Sequence, residues 1–167
     1  MEYQQLTSAY DAAVAALVRT NLEAHGLNIP GTAYYDEALD RLSAYYDHPG
    51  RVYFVLLDGG EVVGGIGLAE CGFFPDCCEM QKLYLADRAK GSGLGYRLIS
   101  RLEQQARDMG YRRIYLETQT ALQAAIHVYE RSGYRQIERP EKIVHSTMNR
   151  FYLKELAPWT RKAERRG

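Results

Sequence analysis

The residues best suited to chemistry in this chain lie in one short stretch, residues 88–99, RAKGSGLGYRLI. Gly91, Gly93 and Gly95 alternate with other residues between basic side chains and the start of an amphipathic run. The pattern predicts a loop that turns directly into a helix. A helix N-terminus leaves main-chain N–H groups unpaired and carries a partial positive charge. Glycines let the preceding backbone curl so that successive N–H groups point inward, and no side chain blocks the approach. Arg88, Lys90 and Arg97 add mobile positive charge. The guest that fits is a phosphate or pyrophosphate. The competing reading is a flexible basic surface loop; the position at a helix start favours the anion site.

Other chemistries find less support. Cys71, Cys77 and Cys78 are odd in number, two are adjacent, and no C-x-x-C or H-x-x-x-H spacing occurs. A disulfide framework and a zinc site are not expected. His25, His48, His127 and His145 are scattered, and no metal is expected. Lysine plus arginine equals aspartate plus glutamate at 21 each, so no global charge argues for nucleic acid or an anionic membrane. Any anion site must be local. No apolar run is long enough to span a membrane, and the start MEYQQLTSAYDAA lacks the layout of a signal peptide, which makes a cytoplasmic protein the expectation.

The elements that must position the loop follow from periodicity. YQQL reads as a short strand, and SAYDAAVAALVRTNLEA as a helix carrying Val14, Leu17, Val18 and Leu22 at helical spacing. After the loop GLNIPGTAYYD, a shorter helix is expected over residues 36–48, with Asp36 as its N-cap. RVYFVLLD, the turn GGE and VVGGIGLAE form a hairpin, and CEMQKLYL continues the sheet into the glycine loop. A helix over about residues 94–109 places Leu98, Ile99, Leu102 and Ala106 on one face. Strand RRIYLET, helix TALQAAIHVYERS, strand YRQI and strand MNRFYLKEL complete the order. The expectation is one domain over residues 1–157, an α/β sheet of mixed direction, and a polar tail over 158–167.

A Walker loop is missing, and the dinucleotide fingerprint starting at Gly91 and Gly93 puts Tyr96 where its third glycine belongs. Glu117 keeps that rival in play as a ribose-binding acid, but five residues between Leu85 and Gly91 and a mid-chain position count against it. The run EMQKLYLADRAKGSGLGYRLISRLEQQARDMGYRRIYLETQTALQAAIHVYERSGYRQIE instead resembles the core of the GNAT superfamily of acyl-CoA-dependent N-acyltransferases. That family's Gln/Arg-x-x-Gly-x-Gly/Ala loop maps onto Lys90-x-x-Gly93-x-Gly95, with Arg88-x-x-Gly91-x-Gly93 as the alternative register. AAIHVYERSGYR resembles the family's helix ending in Tyr-Glu-x-x-Gly-Phe/Tyr.

The resemblance implies a mixed, mostly antiparallel central sheet of about six to seven strands with flanking helices. It also implies a splay between the strand before the glycine loop and the next one. Its implied co-substrate is acetyl-CoA or a close acyl-CoA, with pyrophosphate on the amides of Gly91, Ser92, Gly93, Leu94, Gly95 and Tyr96 and the pantetheine arm along Leu83, Tyr84 and Leu85. Arg88, Lys90 and Gln123 are further cofactor candidates; Gln123 stands near where many relatives carry an asparagine. The implied reaction is direct attack of an amine on the thioester. An alkyl ammonium has a pKa of about 10, so a base is needed. Tyr129, by match to the helix tyrosine, is the candidate general acid; helical spacing alone, from Leu122, Ala125 and Ile126, favours a core tyrosine. Glu79 is the candidate base, against a plain solvated carboxylate, and an ordinary strand would put Glu79, Gln81 and Leu83 on one face.

The acceptor is expected to be a small-molecule or peptide amine, contacted by Tyr34, Tyr35 and His145. A homodimer is open. A catalytically silent acyl-CoA-binding module is the alternative function, and it needs neither Tyr129 nor Glu79.

Overall fold

A computed structural model describes residues 1–143 and 146–158. Seven strands form one sheet in the order β1-β2-β3-β4-β5-β7-β6. They are β1 (Glu2–Gln5), β2 (Val52–Asp58), β3 (Glu61–Glu70), β4 (Cys77–Leu85), β5 (Arg113–Thr118), β6 (Arg135–Ile137) and β7 (Arg150–Glu155). Four helices flank it: α1 (Asp11–Ala24), α2 (Leu42–Tyr46), α3 (Leu94–Asp108) and α4 (Gln123–Arg131). All neighbouring strands run antiparallel except β4 and β5. The mixed, mostly antiparallel sheet is as expected. The tail beyond Pro158 lies outside the described residues.

Two apolar layers sandwich the sheet. On one side Val14, Val18, Leu22, Leu42 and Tyr46 from α1 and α2 pack on Tyr53 and Val55 of β2. On the other, Leu98, Ile99, Leu102 and Ala106 of α3 pack on Phe54, Leu56, Ile66, Leu68 and Met80. Each such leucine or isoleucine contributes roughly 1.5–3 kcal/mol on burial, which fixes the helix that follows the glycine loop against the sheet. The helix expected over residues 36–48 is broken up: a 3-10 turn covers Leu39–Arg41, and α2 holds only five residues. Asp36 does not cap it. Its carboxylate accepts from the Ala38 N–H at 3.0 Å and pairs with Lys82 Nζ at 2.8 Å, which ties this segment across to β4.

Strand β4 is irregular. Between the pairs Gly67↔Gln81 and Gly65↔Tyr84, β4 carries one residue more than β3, and Lys82 there takes φ +50°. This is a bulge, and it flips the alternation of side chains downstream. Glu79 and Gln81 face the α1–α2 side, where Tyr46 bonds to Gln81. Leu83 and Leu85 pack with the α3 layer, while Tyr84 packs with the α1–α2 layer. Leu83 therefore does not share a face with Glu79 and Gln81, contrary to the reading of an unbroken strand.

Candidate active site

β4 and β5 pair in parallel only at Cys77↔Arg113, Cys78↔Ile114 and Glu79↔Tyr115. Beyond Glu79 the two strands part. The wedge between them opens into a cleft of about 1230 Å³, closed by the end of α1, residues 31–36, the glycine loop and α4. One small-molecule pocket typically occupies ~300–1,000 Å³, so there is room for a large carrier and a second, smaller molecule.

At one end lies the glycine loop. Gly93 caps α3 in the left-handed region at φ +77°, and Gly91 has φ +75°. A Cβ on either would meet nothing within 4 Å, so glycine is kept for the turn and for open approach. Residues at the first turn of α3 have no helical partner for their N–H groups. Lys90, Gly91, Gly93, Leu94, Gly95 and Tyr96 line the cleft. Ser92 and Arg88 do not. Ser92 Oγ donates to the Ala89 carbonyl at 2.7 Å and closes the turn. The Arg88 guanidinium pairs with Asp58 and Glu61 of the β2–β3 hairpin at 2.8 and 2.6 Å, away from the cleft lining. Arg97 lies 5.9 Å over the Tyr3 ring. The loop's positive character thus rests on main-chain amides and the exposed Lys90, itself paired with Asp87 at 2.7 Å.

Along the wedge, Leu83, Tyr84 and Leu85 line the cleft, and the edge of β4 that faces β5 has no strand partner there among the described residues. Room for the bulge comes from glycines in β3. A Cβ on Gly65 would lie 2.4 Å from the Tyr53 hydroxyl, and one on Gly67 would lie 2.5 Å from that of Tyr46. The Tyr53 hydroxyl, fully buried with its residue, donates to the Lys82 carbonyl at 2.9 Å and so pins the bulge.

At the far end stand the titratable groups. Gln81 Nε2 donates to Glu79 Oε2 at 3.2 Å, and its Oε1 accepts from the Tyr46 hydroxyl at 2.8 Å. This chain fixes the orientation of the Gln81 amide. Burial, reinforced by the nearby Glu117, pushes the Glu79 carboxyl up to about 7 against the pull of Gln81. Glu117 also lines the cleft, accepts from the Tyr115 hydroxyl at 3.1 Å, and is raised by its own burial. Tyr129 lines the same cleft from α4. Its ring is 7% exposed and packs near Tyr134 and Tyr152. Burial raises its pKa, so its hydroxyl holds its proton at neutral pH.

On the acceptor side, Tyr35 lines the cleft and is exposed, but Tyr34 does not reach it. The Tyr34 hydroxyl donates to Glu23 at 2.6 Å on the surface. His145 falls outside the described residues. Gln123 lines the cleft, and its Nε2 donates to the Thr120 carbonyl at 2.6 Å. Helix α4 begins at Gln123 rather than at residue 120. Sequence reasoning missed Tyr46, Tyr53, Lys82 and the place of Glu117 in the site. One signal was available: VVGGIGLAE carries three glycines in a strand, a mark of close approach by neighbouring groups.

The sequence model of the acetyltransferase (GNAT) family matches residues 17–134, which takes in β4, the glycine loop and α4. The chain belongs to the GNAT acetyltransferase family. The acetyltransferase is 39% identical over 137 residues to the uncharacterized N-acetyltransferase YjgM of Escherichia coli, covering 81% of this chain and 82% of that protein. Among solved structures, a GNAT acetyltransferase from Staphylococcus aureus superposes with a TM-score of 0.80 at 18% identity, over 93% of this chain and 99% of that one. YncA of Salmonella typhimurium, a putative acetyltransferase solved with acetyl-CoA, gives a TM-score of 0.73 at 20% identity over 96% of each chain. The strand before the glycine loop runs antiparallel to β3, which sets aside the dinucleotide-binding alternative and its parallel sheet.

Proposed function

We propose that this enzyme transfers the acetyl group of acetyl-CoA to the primary amine of a small acceptor by direct attack, with Glu79 as base and Tyr129 as acid. One observation carries the reading: a single cleft joins open main-chain amides at residues 91–96, the free edge of β4, the Glu79 carboxyl and the Tyr129 side chain. The site fits the carrier in its chemistry. Open space over Gly91 and Gly93 suits a diphosphate on a helix start, and the unpaired β4 edge suits the amides of an extended arm. The structure of YncA with acetyl-CoA, a protein of the same fold, supports the choice of carrier.

Bound acetyl-CoA supplies the activated acetyl thioester. The protein does the rest. Glu79, with its carboxyl near neutrality, takes a proton from the incoming ammonium directly or through water. Gln81, fixed by Tyr46, holds one carboxylate oxygen and leaves the other for the amine. Main-chain N–H groups of the β4 edge stabilise charge that develops on the carbonyl oxygen. Tyr129, protonated at neutral pH, donates to the departing thiolate. Holding both reactants in one wedge supplies much of the remaining acceleration. The acceptor enters beside Asn21, Tyr35, Asp36 and Met148, which line the same cleft.

The test is thiol release from acetyl-CoA across a panel of primary amines, amino acids and peptides, with wild type and Tyr129→Phe. The reading expects amine-dependent release by wild type, and a lowered maximal rate in the variant with acetyl-CoA affinity kept. Coenzyme A binding with no release for any amine would favour a silent binding module. Release unchanged in Tyr129→Phe would remove Tyr129 from the mechanism.

A further inference from the structure

The hairpin tip between β3 and β4, residues 71–78, reads CGFFPDCC and takes no part in acetyl transfer as described. The ladder pairs Glu70 with Cys78, and one step further the Cys71 N–H donates to the Cys77 carbonyl at 3.2 Å. Cys71 and Cys77 are therefore directly opposed across the two strands and project to one face. Hydrogen-bonded antiparallel pairs hold their Cα atoms about 5.5 Å apart. A disulfide spans Cα separations of roughly 4.4–6.8 Å. Both cysteines pack on the same aromatic patch, around Tyr115 and Phe151, under Phe73 and Phe74. Cys78 points to the opposite layer and lies near the Arg113 carbonyl, so it does not compete for Cys71.

The two thiols differ. Cys71 is half-buried and within reach of solvent, and Cys77 is 4% exposed. The adjacent Cys77 and the main-chain N–H groups of Phe73 and Phe74 bring the Cys71 thiol down to about 7 against its burial and the nearby Glu117, while Cys77 Sγ itself donates to the Cys78 carbonyl at 3.4 Å. Burial and the neighbouring Cys71 raise Cys77, so it stays protonated. An accessible thiolate beside a protonated thiol is the arrangement of an attacking and a resolving cysteine.

We propose that Cys71 and Cys77 form a redox dithiol that a hydroperoxide converts to a disulfide. The Cys71 thiolate attacks one peroxide oxygen, the O–O bond breaks, and hydroxide (or alkoxide) leaves with Cys71 as the sulfenic acid. Cys77 then attacks the Cys71 sulfur, its proton passes to the departing oxygen, and water leaves. Two thiols lose two electrons in total, and the peroxide gains them. This site is independent of the acetyl-transfer mechanism and its test does not read that activity.

Reduced full-length protein is treated with hydrogen peroxide, alkylated without reduction and cleaved beside Asp76, which separates Cys71 from Cys77. The expected result is a loss of two hydrogens from the intact chain and a linked pair of peptides, kept in Cys78→Ala and abolished in Cys77→Ala. In Cys77→Ala, dimedone is expected to trap the sulfenic acid at Cys71. In untreated protein, alkylation of Cys71 should have its midpoint near pH 7. Peroxide that leaves all three thiols alkylatable, or joins Cys77 to Cys78, overturns the proposal. So does a linkage that survives in Cys77→Ala.

Discussion

The two ends of the cleft are built in different ways. The glycine-loop end is main chain, contiguous in sequence, and needs only a turn and a helix start at Gly93. The end around Glu79 is side chain, assembled from α2, β2, β4, β5 and α4: Tyr46, Tyr53, Gln81, Glu79, Glu117 and Tyr129 come from positions up to 83 residues apart. The first end tolerates change in its side chains but not in its backbone. The second depends on a bulge that one buried hydroxyl pins and two glycines make possible. Binding of a carrier and chemistry on it should therefore be separable by mutation.

The largest effect is expected at Glu79. Replacing a positioned general base costs typically 10²–10⁴-fold in rate, so Glu79→Gln should lower kcat/KM by about that much with coenzyme A affinity little changed. The wild-type profile of kcat/KM should rise as pH passes about 7, where Glu79 loses its proton, and that limb should vanish in the variant. Stability carries the same signature with its own sign. The folded carboxyl binds its proton above the ordinary carboxylate range, so the folded state holds more protons than the unfolded one from about pH 4.5 to 7. This contribution is present below that window and is lost as pH rises through it; thermal melts of Glu79→Gln should lack this slope.

Next comes Gly93→Val, which strikes the opposite end. A left-handed conformation costs an L-residue of order 1–2 kcal/mol, and a branched side chain crowds the approach, so coenzyme A affinity should fall by about tenfold or more. Titration calorimetry reads the affinity, and the pH limb of the remaining activity should stay near 7. If both variants lose affinity and rate together, the two ends are not independent.

Gly65→Ala sharpens the comparison from within the sheet. Its Cβ would collide with the Tyr53 ring, and overpacking of this kind costs typically 1–3 kcal/mol. With the Lys82 carbonyl released, kcat should fall as well, whereas Tyr53→Phe removes the pin alone and should lower kcat with a smaller drop in melting temperature. The smallest effect belongs to Tyr46→Phe. It frees the Gln81 amide to turn, which weakens the donor that holds Glu79 down, so the pH limb should move to higher pH by less than about one unit.

The same division explains what could be read from the sequence. Helix α3, its glycine loop and most strands are local patterns, and the apolar face of Leu98, Ile99, Leu102 and Ala106 was legible directly. The bulge was not. Nothing in EMQKLYL departs from strand-like composition; the extra residue at Lys82 follows from how β3 pairs with β4 and from Tyr53 beneath them. Period-two reasoning then placed Leu83 on the wrong face. The partners of Arg88 and Tyr34, Asp58 with Glu61 and Glu23, lie far off in sequence and are met only in the fold. Asp36 was claimed by Lys82 in the same way, at the expense of a longer second helix.

On the proposed reading, the parting of β4 and β5 seats the carrier with its reactive end turned toward Glu79. A crystal structure of the complex with coenzyme A tests it most directly. The expected density has the diphosphate on the amides of residues 91–96, the arm along Leu83–Leu85, and the thiol between Glu79 and Tyr129. A diphosphate bound away from that turn, or β4 and β5 paired past Glu79 with the arm outside the wedge, contradicts it.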